Sequence, residues 1–490
     1  MEPLTWTGAL GSFLDPILTG LAGVFAIAVA VQIVLSVVAS GERVVTNPDG
    51  TLSSSGGLYG TSSKVTYWLG AALLAVILIY VGVGAIGGTS VGGIIGGMSH
   101  QLLPVWVALI ATFVVSIKFK RKLGLYGKLF DSTVGMIGFA LVMFWIFAGV
   151  MAGVFDLIVT HDSLSQVSGL KNKLPGTPLR TVEDGEFAWY LLGGDNLARD
   201  VFSRLFKGAW VVVQIAPLAT LFAFMVGITL GLPAGYYSGR LDTVLSFVAN
   251  LILAFPVILL FYLLVTPEIA ATGIPNYMAT VLFIFPLIFL AVLLNARYHT
   301  QPSFRTPLLV VVLGVMGWIY LSLISTDGAI VSTPSYTIPG LPAALDLFDL
   351  EGGILIVFVA VVFVNAPTVF RIVRGLALDI KTRDYVAAAQ TRGEGPWYIM
   401  LWEILPNARG PLIVDFCLRI GYTTILLGTL GFFGLGLESE SPDWGTTINT
   451  GRQLIRAYVH PLLPPALSLM TLVLGLNLLA DGLREESLKD

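Results

Sequence analysis

DIKTRDYVAAAQTRGEGPWYIMLWEILPNARGP, residues 379–411, is a polar, basic interruption between two long hydrophobic runs. Its punctuation divides it into two short helices. Asp384 is placed to cap the first, because a short acidic side chain accepts from backbone N–H groups left unpaired in an opening turn. Residues 386–392 then read as helix around Ala387, Ala388 and Ala389, and Gly393 ends it, being the residue that tolerates a left-handed position after a last turn. Pro396 suits the first position of a second helix, where its missing N–H costs nothing, and Pro406 is expected to close that helix. The stretch predicts a helix, a hinge and a second helix displayed beside a membrane.

The 490 residues are 56% hydrophobic and only 12% charged, with a mean hydropathy of +0.85. Soluble domains carry about 25% charged residues, so the chain reads as an all-α, polytopic membrane protein whose first partner is the lipid bilayer. A net charge of −3 gives no ground for nucleic acid as a partner. Cys417 is the single cysteine, which excludes an internal disulfide, and His100, His161, His299 and His460 are too scattered for metal-ligand spacing. The nearest approach to a phosphate-cradling loop is Gly127-Lys128, but Leu129 follows it and Lys122 stands where the first glycine is needed. By this reading the chain holds no cofactor, is not an enzyme, and draws its energy from a partner.

Apolar runs near the roughly 20 residues of a bilayer crossing lie at 17–39, 67–86, 102–117, 134–158, 211–234, 245–265, 278–294, 308–324, 354–370, 412–433 and 462–479. The first lacks the basic n-region of a cleaved leader, so it reads as a retained helix. The string KFKRKLGLYGK, residues 118–128, carries five Lys/Arg, and the neighbourhood of 379–411 carries six: Arg371, Arg374, Lys381, Arg383, Arg392 and Arg409. Positive charge marks cytoplasmic loops, which predicts the N-terminus outside and the C-terminus inside. Residues 161–200 then form an external excursion. It ends in a short interfacial helix with Val201, Leu205 and Phe206 opposed to Arg199, Arg204 and Lys207. The glycine-rich 84–98 reads as either a turn or a site of close helix packing. Pro256 predicts a kink inside 245–265.

The string YVAAAQTRG followed by EILPN resembles the EAA loop of ABC-importer permeases, roughly Glu-Ala-Ala, three residues, Gly, nine residues, Ile-x-Leu-Pro. Ala388, Ala389, Gly393, Leu405 and Pro406 stand at matching positions, whereas Ala387 takes the place of the Glu and Glu403 precedes Ile404. LLGGDNLARDVFSRLFKGAW resembles a signature of the dipeptide and oligopeptide branch through Gly194, Asp195, Arg199, Asp200, Val201, Ser203, Arg204, Leu205 and Gly208. GFFGLGLESESPDWG matches a further string through Phe432, Gly434, Leu435, Gly436, Trp444 and Gly445, and the C-terminus another through Asn477, Asp481, Leu483 and Arg484.

Taken together, the chain resembles the C-type permease subunit of a dipeptide/oligopeptide family ABC importer. The resemblance implies a type I importer core of six transmembrane helices, to which this chain adds three at the N-terminus and two inserted. It divides the chain into an N-terminal extension, 1–117, a first part of the core, 118–266, with an external loop at 159–205, an insertion, 267–353, and a second part of the core, 354–490. The implied partners are a related B-type permease, two ATPase subunits that bind ATP and Mg, and an extracytoplasmic binding protein. The implied cargo is peptide or oligosaccharide. The loop 379–411, with Asp384, Tyr385 and the alanines, would be the coupling loop seated against an ATPase; Trp397 reads either as a headgroup anchor or as a ring packed into the ATPase groove.

Asp415 and Arg419 are four apart and pair on one helix face; a structural pair and a pore-lining role are both open. Asn365 and Asn477 read as interhelical hydrogen-bonding groups. Two other classes compete. An ion-coupled secondary transporter needs an intramembrane acid and broken helices near the midplane, and Asp415 is its candidate. A structural or assembly protein would use the five extra helices as its working surface.

Overall fold

A computed structural model of the chain describes residues 2–38, 44–46, 52–54, 58–182, 186–325, 329–332, 337–342, 345, 352–435 and 440–487. Of the Gly/Ser-rich stretch 41–64, which reads as a loop in sequence, part lies outside them and residues 58–64 are helical; most of the connection 326–353 and Gly436 also lie outside them. Among the described residues ten helices are long and apolar enough to cross a membrane, and one bent pair makes an eleventh. They are α1 (Gly8–Val38), α2 (Leu58–Gln101), α3 (Leu103–Phe119), α4 (Thr133–Gly153), α5 (Val201–Tyr237), the pair α6 (Gly239–Leu253) and α7 (Val257–Val265), α8 (Ile274–Arg297), α9 (Pro302–Ile324), α10 (Gly352–Ile380), and, past the loop, α12 (Arg409–Phe432) and α14 (Leu463–Ser487). Within the loop, between α10 and α12, lies α11 (Asp384–Thr391), and between α12 and α14 lies α13 (Trp444–Arg452). Among the described residues strands are confined to three short antiparallel pairs. Each of the eleven expected spans falls on one of these helices or on the pair.

The pair is bent by 80° at residues 254–256. Pro256 cannot donate to the helical ladder and its ring crowds the preceding turn, so the helix restarts at Val257. In α2, Gly88 and Gly93 have φ of 60° and 58°, and the chain folds back there. Gly84 and Gly96 then approach so closely that a Cβ on the former would lie 2.8 Å from the Cα of the latter. The glycine-rich stretch is thus both a turn and a packing site. The N–H groups of Ile94 and Ile95, left open by the new start, donate to Thr5 O and Trp6 O at 3.0 and 3.1 Å.

Contacts divide the chain into two compact units, residues 1–107 with 156–203, and residues 108–155 with 204–490. Residues 156–203, ordered with the first part of the core by their place along the chain, therefore fold with the N-terminal segment. The expected interfacial helix is a correction. Val201 opens the 37-residue α5, and Arg199, Arg204, Val201, Leu205 and Phe206 are all buried. An amphipathic pattern mimics an interfacial helix when its cations have partners inside the protein, as both arginines do.

In the second unit, helices meet along small residues, which lets backbones approach where apolar lipid offers no drive for association. Gly227, Gly231 and Gly235, one turn apart on α5, face Val369, Val373 and Ala377 of α10. Gly138 of α4 lies against Gly475 and Leu479 of α14 in the same way.

Candidate functional site

The loop opens with α11, which starts at Asp384 rather than 386. Arg383 precedes the first turn and no side chain caps it, so Asp384 does not act as the cap expected of it. It sits one position inside the helix, where its negative charge still complements the positive end of the helix dipole. Gly393 has φ of 79° and follows the last turn; its N–H donates to Gln390 O at 2.9 Å, and that of Glu394 to Ala389 O at 3.3 Å. Pro396 opens the second helix.

Pro406 does not close that helix. Residues Ile399–Ile404 widen into a π-helix, and helical structure continues through Leu405–Asn407 to α12. A proline ring clashes with the carbonyl four residues back and leaves no N–H. An extra residue per turn immediately ahead of it relieves that clash without breaking the chain's direction.

The loop is two-faced. Val386, Ala389, Ile399, Met400, Leu401 and Ile404 are buried in one apolar cluster with Val369, Val373, Ala377 and Ile380 of α10. Tyr385, Ala387, Ala388, Gly393, Pro406 and Trp397 are exposed on the other side. Leu405 and Glu403 are half-buried, and Glu403 accepts a hydrogen bond from Arg392 at 2.9 Å across the hinge. Ala387 leaves the first helix with a small, neutral exposed face where the family pattern has a carboxylate. Lys381 anchors the approach, donating to Gly235 O at 2.8 Å and Ser238 Oγ at 2.7 Å, and Arg374 forks onto Asp242, Nη2 to Oδ2 at 2.6 Å.

The signature residues 195–204 also find partners. Arg199 Nε donates to Asp195 Oδ2 at 2.8 Å with both side chains buried, while Asp195 Oδ1 accepts from the Leu197 and Arg199 amides. Asp200 Oδ2 accepts from Ser203 Oγ at 2.6 Å and Thr160 Oγ1 at 2.8 Å, and lies 3.3 Å from His161 Nδ1. His161 Nε2 meets Phe187 O at 2.8 Å. Both ring nitrogens thus face acceptors, an arrangement suited to imidazolium. Burial by itself lowers the His161 pKa, but the hydrogen bond and charge of Asp200, with Phe187 O and Glu186, outweigh it and raise the net value above 6.5. His161 and Thr160 carried no sequence signal, because they stand about forty positions from their partner.

In the second unit Arg204, completely buried, donates to Glu440 O at 3.2 Å and Ser441 O at 2.8 Å. Trp444 Nε1 donates to Leu205 O at 2.8 Å, and Gly208 gives the indole room, since a Cβ there would lie 2.8 Å from Trp444 Cδ1. Two strings more than 230 positions apart form one joint. Asp443 caps α13, Oδ1 accepting from the Thr446 amide at 3.0 Å. Burial raises its carboxyl above the usual carboxylate range, partly offset by Thr446 and by the charge of Arg204.

Arg419 Nε donates to Asp415 Oδ2 at 2.7 Å, and Asp415 together with Arg484 and Gly410 lines a cleft of about 390 Å³. Asn365 bridges to Thr423 Oγ1 at 3.4 Å on α12, whereas Asn477 is exposed and makes no such bridge among the described residues. No group of three or more metal-ligating side chains occurs among the described residues.

Comparison with known proteins bears on all of this. The chain is 27% identical over 304 residues to the glutathione transport system permease protein GsiD of Pectobacterium atrosepticum, covering 62% of this chain and 74% of that protein. It is 25% identical over 336 residues to the dipeptide transport system permease protein DppC of Alkalihalophilus pseudofirmus, covering 69% and 80%, and 27% identical over 296 residues to DppC of Haemophilus influenzae, covering 60% and 72%. Of the two cargo classes expected, these relatives carry the names of peptide systems. The profile of the binding-protein-dependent transport system inner membrane component family matches residues 227–485, more than half the chain, so this protein is a multi-pass transport permease belonging to that family.

Proposed function

We propose that the protein is one of two permease subunits of an ATP-driven importer of short peptides. Two separate ATPase subunits bind ATP and Mg below it, and an extracytoplasmic binding protein delivers cargo above. The observation that carries this reading is the two-faced loop: its apolar side is welded to α10, while Tyr385, Ala387, Ala388 and Trp397 face away from the protein. An element so anchored transmits a push from a docked ATPase to the transmembrane helices as one body. Packed interiors resist continuous deformation, so such a displacement is passed on rather than absorbed. The basic flanks of the loop support a cytoplasmic position for it and, with it, an N-terminus outside. Peptide, rather than oligosaccharide, is the cargo class carried over from the relatives' names.

The test is reconstitution of the chain with its cognate permease, ATPases and binding protein in proteoliposomes, following a labelled di- or tripeptide. Uptake is expected only with Mg-ATP and binding protein together. Uptake by this chain alone, or uptake unaffected by removing the ATPases, would overturn the reading.

A further inference from the structure

The insertion between the two parts of the core enters the membrane on α8 and leaves on α9, and its inner turn is NARYHTQPSFR, residues 295–305. That turn does not hang free. Ala296 is buried in the same apolar cluster as Ile399, Met400 and Ile404 of the loop, with Phe289, Val292 and Leu293 of α8 packed against it. The Arg297 guanidinium carbon stands 4.7 Å from the centroid of the Trp402 ring. The His299 ring meets the Tyr398 ring edge-on, with centroids 5.5 Å apart and planes at 70°.

The turn is stiff enough to hold these contacts. His299 Nδ1 lies 3.0 Å from Ala296 O, and since a carbonyl only accepts, Nδ1 carries the proton and the ring is held in place. Tyr298 packs edge-on against Phe304 across the turn, with centroids 5.0 Å apart. The contacts fall on the π-helical half of the loop and the turn just before it, Pro396–Tyr398 and Ile399–Ile404. A π-helix is a locally weaker ladder than an α-helix, so this is the half that needs outside support. Trp402 Nε1 is buried with no acceptor among the described residues. Its indole therefore sits there for its face and not for its N–H.

We infer that the inserted hairpin is a built-in brace for the loop: Arg297 and His299 grip Trp402 and Tyr398, so that hairpin and loop move as one body when an ATPase engages. Arg297 and His299 are positioning residues. They act through Trp402 and Tyr398 and touch no cargo. The inference rests on the proposed coupling role of the loop and adds a second lever to it. The five-donor guanidinium is suited to the task, since its weakly hydrated plane stacks on an aromatic face at little desolvation cost.

The test uses the complete reconstituted transporter and reads peptide imported per ATP hydrolysed, a ratio that reduced abundance does not change. Arg297→Ala is expected to lower that ratio about fivefold, the factor one cation–π contact carries, with the ATPases still co-purifying. Arg297→Lys, which keeps a cation near the ring but not the stacked plane, should restore only part of it. In a second measurement, His299→Cys and Tyr398→Cys are joined by a short bifunctional thiol reagent, the native Cys417 being buried. Without the reagent the double variant, having lost one grip, should import less peptide per ATP, and a tether between parts that travel together should restore the ratio. An unaltered ratio in Arg297→Ala, or arrest of import by the tether while the wild type stays coupled, would overturn the brace alone. Wild-type import without ATP would overturn both readings.

Discussion

Arg392 Nη2 stands 2.9 Å from Glu403 Oε1, tying the residue that follows the first loop helix to the second helix across the hinge. The two side chains are 54% and 23% exposed, so solvent screens the pair and it contributes about 0.3–1 kcal/mol. Arg392→Ala and Glu403→Ile should each lower stability by that amount, and the double variant by scarcely more. A double-mutant cycle on thermal unfolding checks this; strictly additive losses would mean that the two residues do not act together.

At Gly393 no heavy atom lies within 4 Å of the position a Cβ would take, so the demand is on backbone conformation alone, at φ of 79°. A left-handed conformation costs an ordinary L-residue about 1–2 kcal/mol. Gly393→Val should therefore shift the hinge and reduce import relative to hydrolysis, while Gly393→Asn, which tolerates that region, should behave nearly as wild type. Equal behaviour of the two variants would show that the hinge conformation is irrelevant.

His161 supplies the pH dependence. Its folded-state pKa lies above the ordinary 6.5, so protonation stabilises the fold. The contribution is fully present below pH 6.5 and is lost as pH rises through the raised value. The charge-assisted bond to Asp200 is worth about 2 kcal/mol. Melting curves of wild type should fall with rising pH by more than those of His161→Gln; parallel curves would remove the imidazolium from the account.

Arg204 and Trp444 hold the joint between the two signature strings in the second unit. Arg204→Met takes from the Glu440 and Ser441 carbonyls their charged donor, a hydrogen bond to a charged group being worth about 1.5–3 kcal/mol. Arg204→Lys should recover little, because one ammonium does not reproduce the fork. Comparing unfolding midpoints of the two variants with wild type decides it, and full recovery by Lys would show that charge alone matters there.

The course of the chain across the membrane was legible because it is written locally. Runs of apolar residues must satisfy their backbone groups within one helix, and Gly393 and Pro396 act through their own φ and their own missing groups. Pro406 was misread for a physical reason: its helix-breaking effect is answered by a π-turn whose side chains, Ile399 to Ile404, are held by the buried cluster. Asp384 was misplaced by a single position. Most of the contacts that organise the candidate site were invisible, since they join Asp200 to His161, Arg204 to Ser441 and Arg297 to Trp402. The amphipathic look of 199–207 misled because its arginines are satisfied inside the protein.

The central claim is that the exposed face of the loop receives an ATPase. Ala388 lies on that face, and Ala388→Cys in the assembled transporter places a thiol there with little change in bulk. Cross-linking in native membranes, with and without nucleotide, measures docking directly. The account predicts a specific product with the ATPase subunit whose yield changes when ATP binds. A thiol at Ala388 that reacts only with water-soluble reagents, and never with the ATPase in an import-competent complex, would contradict it.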